Sequence, residues 1–457
     1  MRTRLVLLGL FWLLIATGCG RGPRPDLEAL YGVTRGAPDQ PPVILVHGIL
    51  GSRLKAPDAE REVWIGPLSK LLFSDYADLA LAIDPETLEP RSPPEIPFAI
   101  TDQAVGTDFY GRIIETLAGP GGYVAGTPGE RADDGQRRYY VFLYDWRLDN
   151  VVNARRLDAF VRQIRADHRD PSLRVDMVAH SMGGLLTRYF LRYGTEDVLD
   201  DNRLQPNLHG RDLVRRVILL GTPNLGSVTS VQAFIEGVPV GFGTIPTEVL
   251  VTMPSSYQLF PHPIAGNWLA TTAGDYLDRD VFETRIWRAF EWSIFDPEVR
   301  ARITRDAGDE AAGRERLALL ERYFEKHIER GRRFVWSLTV ELDETPWELV
   351  VLGGDCNLTP KTLVVEEIDG ESVVRLRPQE IDRPASGVDY DALMLEPGDG
   401  TVTKSSLLAR NALDPAVPRH PYIFFPLDFS FFICEAHDQL TGNITFQDNL
   451  LHLLLSR

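Results

Sequence analysis

The sequence predicts an α/β protein: a mostly parallel central sheet flanked by helices, with an inserted helical cap. Three observations carry that reading. From Pro42 onward, apolar runs of strand length alternate with amphipathic helical stretches. Arg174 to Phe190 (RVDMVAHSMGGLLTRYF) turns a buried strand into a helix within about two residues. The rhythm then breaks between Ser227 and Arg333, where a long apolar and then charged helical block interrupts it. The chain has 457 residues, enough for one large domain carrying such an insertion.

The strand-to-helix turn organises the rest. Arg174 to Ala179 alternates polar and apolar residues and is rich in valine, while Leu185, Leu186, Tyr189 and Phe190 mark a helix face. So sharp a turn leaves little room, and Ala179, Gly183 and Gly184 supply it. This is the nucleophile-elbow pattern of an α/β-hydrolase fold, with alanine in place of the first glycine. It pushes the Ser181 hydroxyl out at the carboxyl end of the strand. It also aims the Met182 N–H, at a helix N-terminus, toward a developing negative charge.

The N-terminus reads as an export signal. Arg2 and Arg4 precede an apolar run, Leu5 to Ala16, that is too short to span a bilayer. Small residues follow, so residues 1–18 are expected to be a signal peptide. The end, Ala16-Thr17-Gly18-Cys19, resembles the bacterial lipobox, in which the cysteine is lipidated. The expectation is a membrane-anchored bacterial lipoprotein facing the periplasm or cell exterior, with 19–40 as a proline- and glycine-rich tether.

Pro42 to His47 (PVILVH) is a strand buried on both faces, and Gly48-Ile49-Leu50-Gly51-Ser52 follows it. Glycines there let the backbone turn and expose N–H groups, and the Ile49 N–H is the expected second oxyanion donor. Ser52 to Glu95 shows no clear period. Val105 to Ala118 reads as a helix, Arg138 to Tyr144 as a strand, and Ala154 to Ile164 as an amphipathic helix. Val214 to Leu220 is the next strand. Residues 41–226 are thus the first part of the core, 227–333 the cap, and 334–457 the second part. Phe334 to Val340 and Trp347 to Leu352 are read as resuming the sheet. Thr362 to Val365 and Ser372 to Leu376 flank Asp369-Gly370, a hairpin signal. Tyr422 to Cys434 is strand-like, and Ile444 to Leu455 is a closing helix.

Within the cap, Val231 to Pro254 carries Phe234, Phe242, Ile245 and Leu250 with few charges. A surface loop that apolar covers something or meets a membrane. It is expected to act as a lid over Ser181 that binds lipid; the alternative is a fixed packing segment.

A serine hydroxyl needs a base, and the base needs an orienting carboxylate, in the chain order Ser, acid, His. His437 lies in the loop after the last strand, where the base belongs. His47 and His180 read as scaffolding, and His452 as a helix-face residue. Two Gly-Asp pairs end strands, Gly354-Asp355 and Gly398-Asp399. Asp399, in the tight turn of Gly398-Asp399-Gly400, is preferred over Asp355. Cys356 and Cys434 are a candidate disulfide; the alternative is two buried thiols. No metal-ligand spacing occurs, and neither a metal nor a cofactor is expected. A net charge of −17 and a pI near 5.1 exclude nucleic acid as a partner, since no basic stripe exists to meet phosphates.

With these residues in hand, the chain resembles the lecithin:cholesterol acyltransferase family of α/β-hydrolases, which includes lysosomal phospholipase A2 and the phospholipid:diacylglycerol acyltransferases. The matching segments are Pro41 to Leu54, YDWR (Tyr144 to Arg147), AHSMGG (Ala179 to Gly184), GTPNLGS (Gly221 to Ser227), GDGTV (Gly398 to Val402) and the His437 segment. The sequence departs from the family at His47, often proline there, and at Ala179. The resemblance implies a Ser181–Asp399–His437 triad, an oxyanion N–H at Ile49, a lid after GTPNLGS, and a lipid acyl ester as donor. The expected activity is hydrolysis or O-acyl transfer through a serine ester. The alternatives are an esterase of small soluble esters and an inactive lipid-binding lipoprotein.

Overall fold

The structure is a computed structural model that describes residues 24–35, 40–56, 61–67, 70, 74, 76–91, 95–101, 103–104, 107–108 and 110–456. Its centre is a sheet of seven strands: β1 (Val43–Val46), β2 (Val124–Ala125), β3 (Arg138–Phe142), β4 (Val175–His180), β5 (Val214–Leu220), β6 (Glu348–Gly354) and β7 (Phe429–Ile433). Their order is β7-β6-β5-β4-β1-β3-β2, and every pairing is parallel.

The strands are continuous apolar runs because helices cover both faces. Val43, Leu45 and Val178 point to one face, under α1 (Gly111–Ala118) and the closing helix (Ile444–Leu455). Ile44, Val46, Met177 and Ala179 point to the other, under α2 (Asn150–Asp167) and α3 (Met182–Tyr193). Asp149 caps α2 by accepting the Val151 N–H at 2.7 Å.

The cap follows β5. It holds α4 (Val228–Glu236), a hairpin (Val238–Val240 with Gly243–Ile245), short helical turns, and the long α5 (Glu310–Ser337). Arg330 ties α5 to the core through Asp149 at 2.6 Å and Asp197 at 2.8 Å.

Three expectations are corrected. Phe334 to Val340 does not resume the sheet; its first four residues end α5. Phe324, Ile328, Gly331 and Val335 are buried at spacings of three and four, so the helical period set upstream simply continues through β-favouring residues. The sheet resumes at Glu348, not at 334. Nor is the cap one continuous insertion: Leu363–Ile368 pairs with Glu371–Arg375 as the hairpin signal predicts, but its other edge pairs with the cap strand Leu269–Thr271. Finally, part of the expected tether is docked. Leu27–Tyr31 is a helical turn, Tyr31 donates to Asp448 on the closing helix at 2.6 Å, and Arg35 donates to the Gly119 carbonyl at 2.7 Å. The signal peptide and Cys19 lie outside the described residues. So does Val105; the helix expected from there begins at Gly111. The aperiodic stretch after Ser52 contains a three-stranded antiparallel sheet, with Ser52–Lys55 between Glu62–Trp64 and Ile96–Ile100.

Candidate active site

Ser181 sits between β4 and α3 at φ 53°, ψ −127°, a conformation a side chain adopts only where the surroundings impose it. Its N–H donates to the Leu220 carbonyl of β5 at 2.8 Å. The small residues behave as read from the sequence. A Cβ on Gly183 would stand 2.3 Å from the His47 carbonyl oxygen, and one on Gly184 would stand 2.0 Å from Thr222 Oγ1. Ala179 is wholly buried, beside Val46 and Leu219.

The acid and base meet at the neighbouring strand ends. His437 Nδ1 lies 2.8 Å from Asp399 Oδ2. Asp399 Oδ1 accepts the N–H groups of Thr401 at 3.0 Å and Val402 at 2.7 Å, and its carbonyl accepts the His437 N–H at 2.9 Å. Burial alone would raise the Asp399 pKa; His437 and the two amides hold it below the usual carboxylate range. Burial disfavours the His437 cation, but Asp399 more than offsets it and raises the imidazole pKa. Asp355 goes elsewhere, to Lys404 Nζ at 2.6 Å. A Cβ on Gly221, whose φ is 55°, would stand 3.0 Å from the His437 ring, so glycine lets β5 end directly beneath the base. Among the described residues no hydrogen bond joins Ser181 Oγ to His437, as is common before substrate binds.

The loop after β1 closes the site. Gly51 N–H donates to the Gly48 carbonyl at 3.2 Å, and Leu50 takes φ 62°. A Cβ on Gly48 would stand 2.8 Å from that of Ser181. The Ile49 and Met182 N–H groups have no backbone partner among the described residues. His47 and His180 are buried scaffolding, held uncharged by burial at about 4 and about 3 respectively.

A cavity of about 310 Å³ opens on Ser181. Ile49, Leu50 and Trp146 form its core side, and Phe234, Ile245 and Leu250 its cap side. Three of the four expected lid residues therefore line it. The fourth, Phe242, is at the tip of the hairpin and 86% exposed, away from the cavity wall. Cys356 and Cys434 are bonded, joining the ends of β6 and β7 three residues before His437. Sequence reasoning missed Tyr110, whose hydroxyl contacts both the Gly48 N–H and His180; nothing in its local sequence marks it.

Residues 137–299 match the family model for lecithin:cholesterol acyltransferase. That matched segment holds YDWR, the Ser181 elbow and GTPNLGS, three of the motifs on which the resemblance was drawn. A chain of the Tle4–Tli4 complex superposes with a TM-score of 0.54 at 15% identity, over 91% of this chain and 98% of that one. EstA from Clostridium botulinum (0.36; 13%; 91% and 87%) and Staphylococcus hyicus lipase (0.34; 11%; 92% and 93%) are further matches. No curated protein matches the sequence. The chain has the α/β-hydrolase fold.

Proposed function

We propose that the protein is a serine-dependent lipid acyl ester hydrolase or O-acyltransferase, acting on phospholipid or related lipid esters. The carrying observation is the strained Ser181 elbow beside the His437–Asp399 pair, with an apolar cavity opening on the serine. In this reading His437 Nε2 takes the Ser181 proton while Oγ attacks the acyl carbonyl carbon. The Ile49 and Met182 N–H groups bind the oxyanion. His437 then protonates the departing alcohol, leaving the acyl group on Ser181. Water or a second alcohol, deprotonated by His437, releases it. Asp399 stays ionised and holds the Nδ1–H tautomer.

The lipid donor is supported by the matched acyltransferase segment and by the cavity walls, which are mostly apolar. Phe242 is read as a membrane contact at the cap tip, and Cys19 as a lipid anchor. If Arg24 to Arg35 stays docked on the body, only residues 20–23 separate that anchor from it.

The test is labelling with a long-chain fluorophosphonate, followed by product analysis on phospholipid vesicles with and without an alcohol acceptor. Labelling at Ser181 with release of fatty acid, or formation of the acceptor alcohol's fatty acyl ester, supports the proposal. Turnover of small soluble esters alone favours the esterase. No labelling favours the inactive lipoprotein.

A further inference from the structure

His180 takes no part in the proton transfers proposed above, yet its ring is held between a hydroxyl and the base. Tyr110 Oη lies 3.0 Å from His180 Nδ1, and the same oxygen accepts the Gly48 N–H at 2.8 Å. The hydroxyl has one proton. Its oxygen has two lone pairs as well, so it accepts the Gly48 N–H and still shares a hydrogen bond with Nδ1. On its other side the His180 ring packs against that of His437, with centroids 4.8 Å apart and planes tilted by 38°. Contacts thus run from the Gly48 amide through the Tyr110 hydroxyl and the His180 ring to the ring of His437.

Gly48 is the residue whose orientation matters. Its carbonyl and the Ile49 N–H belong to one planar trans peptide and point in opposite directions. His47 Nδ1 lies 2.8 Å from that carbonyl on one side. Tyr110 holds the Gly48 N–H on the other. No side chain fits at Gly48 to stiffen the loop by packing, because Ser181 occupies the space. Polar contacts are what remain to aim the Ile49 N–H.

We propose that Tyr110 and His180 are positioning residues: they hold the Ile49 oxyanion donor in register with His437, so that the two halves of the site cannot drift apart. This rests on Ser181 being the nucleophile. Burial together with the nearby His437 keeps His180 uncharged, so its ring packs on the base without opposing the cation that forms there.

The experiment is Tyr110→Phe, which removes one oxygen and leaves the ring in place. Active sites are counted with the fluorophosphonate, and kcat is expressed per titrated site on a p-nitrophenyl ester. The expected result is a roughly 10- to 100-fold loss in kcat with KM within twofold, smaller than losing an oxyanion donor outright. Affinity for a trifluoromethyl ketone, whose adduct carries the oxyanion, falls by a similar factor. A merely structural role would lower the titre or the unfolding temperature and leave kcat per site unchanged, which would overturn the proposal. His180→Asn breaks the same run of contacts at its other end and is expected to lose kcat in the same way. It decides the matter if Tyr110→Phe does not fold. Wild-type protein that fails to label at Ser181 would overturn the nucleophile reading, and the bridge with it.

Discussion

Asp399→Asn and Asp355→Asn form a matched pair of perturbations, since both residues end Gly-Asp steps and both accept a hydrogen bond from a cation-forming group. Their environments differ. Asp399 is buried and accepts from His437 Nδ1 and two amides. An asparagine there can present its NH₂ to Nδ1, which favours the tautomer with the proton on Nε2. His437 would then be unable to take the Ser181 proton. The expected loss in kcat is about 10⁴-fold, about 5.4 kcal/mol of barrier at 1.36 kcal/mol per decade. Asp355 pairs with Lys404 at a partly exposed position, side chains 27% and 29% accessible. Such a pair is worth about 1 kcal/mol at most, and it touches neither Ser181 nor His437. Asp355→Asn therefore keeps kcat within about threefold, or about 0.7 kcal/mol. The pH profile supplies a second readout. Asp399 raises the His437 pKa, and the base works only when neutral, so activity rises with pH through a midpoint above the ordinary histidine value. Removing the carboxylate moves the midpoint down, because burial is then opposed by Asp438 alone. Initial rates on a p-nitrophenyl ester from pH 5 to 9 measure both effects. A crippled Asp355→Asn beside a mild Asp399→Asn would refute the assignment.

Ser181→Ala is expected to cost about 10⁴-fold or more in ester cleavage while the fold is retained; appreciable turnover by the purified variant counts against it. Removing the Cys356–Cys434 bond, which closes a loop of sequence separation 78, should cost up to about 4.5 kcal/mol of stability, read as a lowered unfolding temperature for Cys434→Ser. An unchanged transition would show that the loop ends are held by other contacts. Phe242→Asp should leave stability unchanged, since the ring is exposed, and weaken activity on vesicles while sparing a short soluble ester. Equal loss on both substrates would reject the membrane contact. Cys19→Ser should release the protein from membranes or leave an unprocessed precursor; an unmodified mature N-terminus elsewhere, seen by mass analysis, would exclude the anchor.

What was legible in the sequence is what local constraints dictate. The elbow could be read because one backbone conformation forces small residues at Ala179, Gly183 and Gly184. Asp399 and His437 could be found because chain order and strand ends restrict both. The parallel strands could be read because burial on both faces produces unbroken apolar runs. The end of α5 misled because Phe334, Val335 and Trp336 favour strands by propensity, whereas the buried positions from Leu317 onward keep a helical period. The pairing of Leu269–Thr271 with Leu363–Ile368 could not be read, because pairing across such a separation leaves no local trace. Tyr110 escaped for the same reason: its partners are Gly48 and His180, 62 and 70 residues away.

The cap's burial pattern bears on how a substrate reaches Ser181. Phe234, Ile245 and Leu250 are at most 4% exposed, yet they also form one wall of the cavity. Burying side chains of this size contributes about 1.5–3 kcal/mol each, so an opening that exposed all three to water costs about 5–9 kcal/mol. Such a state is populated in water at less than about one part in 10³. Phe242 carries no such cost, because it is exposed already. In the proposed membrane contact, its transfer from water to hydrocarbon would offset part of the opening, and a bilayer receiving the other side chains would offset the rest. An acyl chain entering the cavity restores apolar contact to the same three residues from the inside. Phe234, Ile245 and Leu250 are thus both the buried face of the cap and the wall of the cavity, so an opening that exposed them would also unmake that wall.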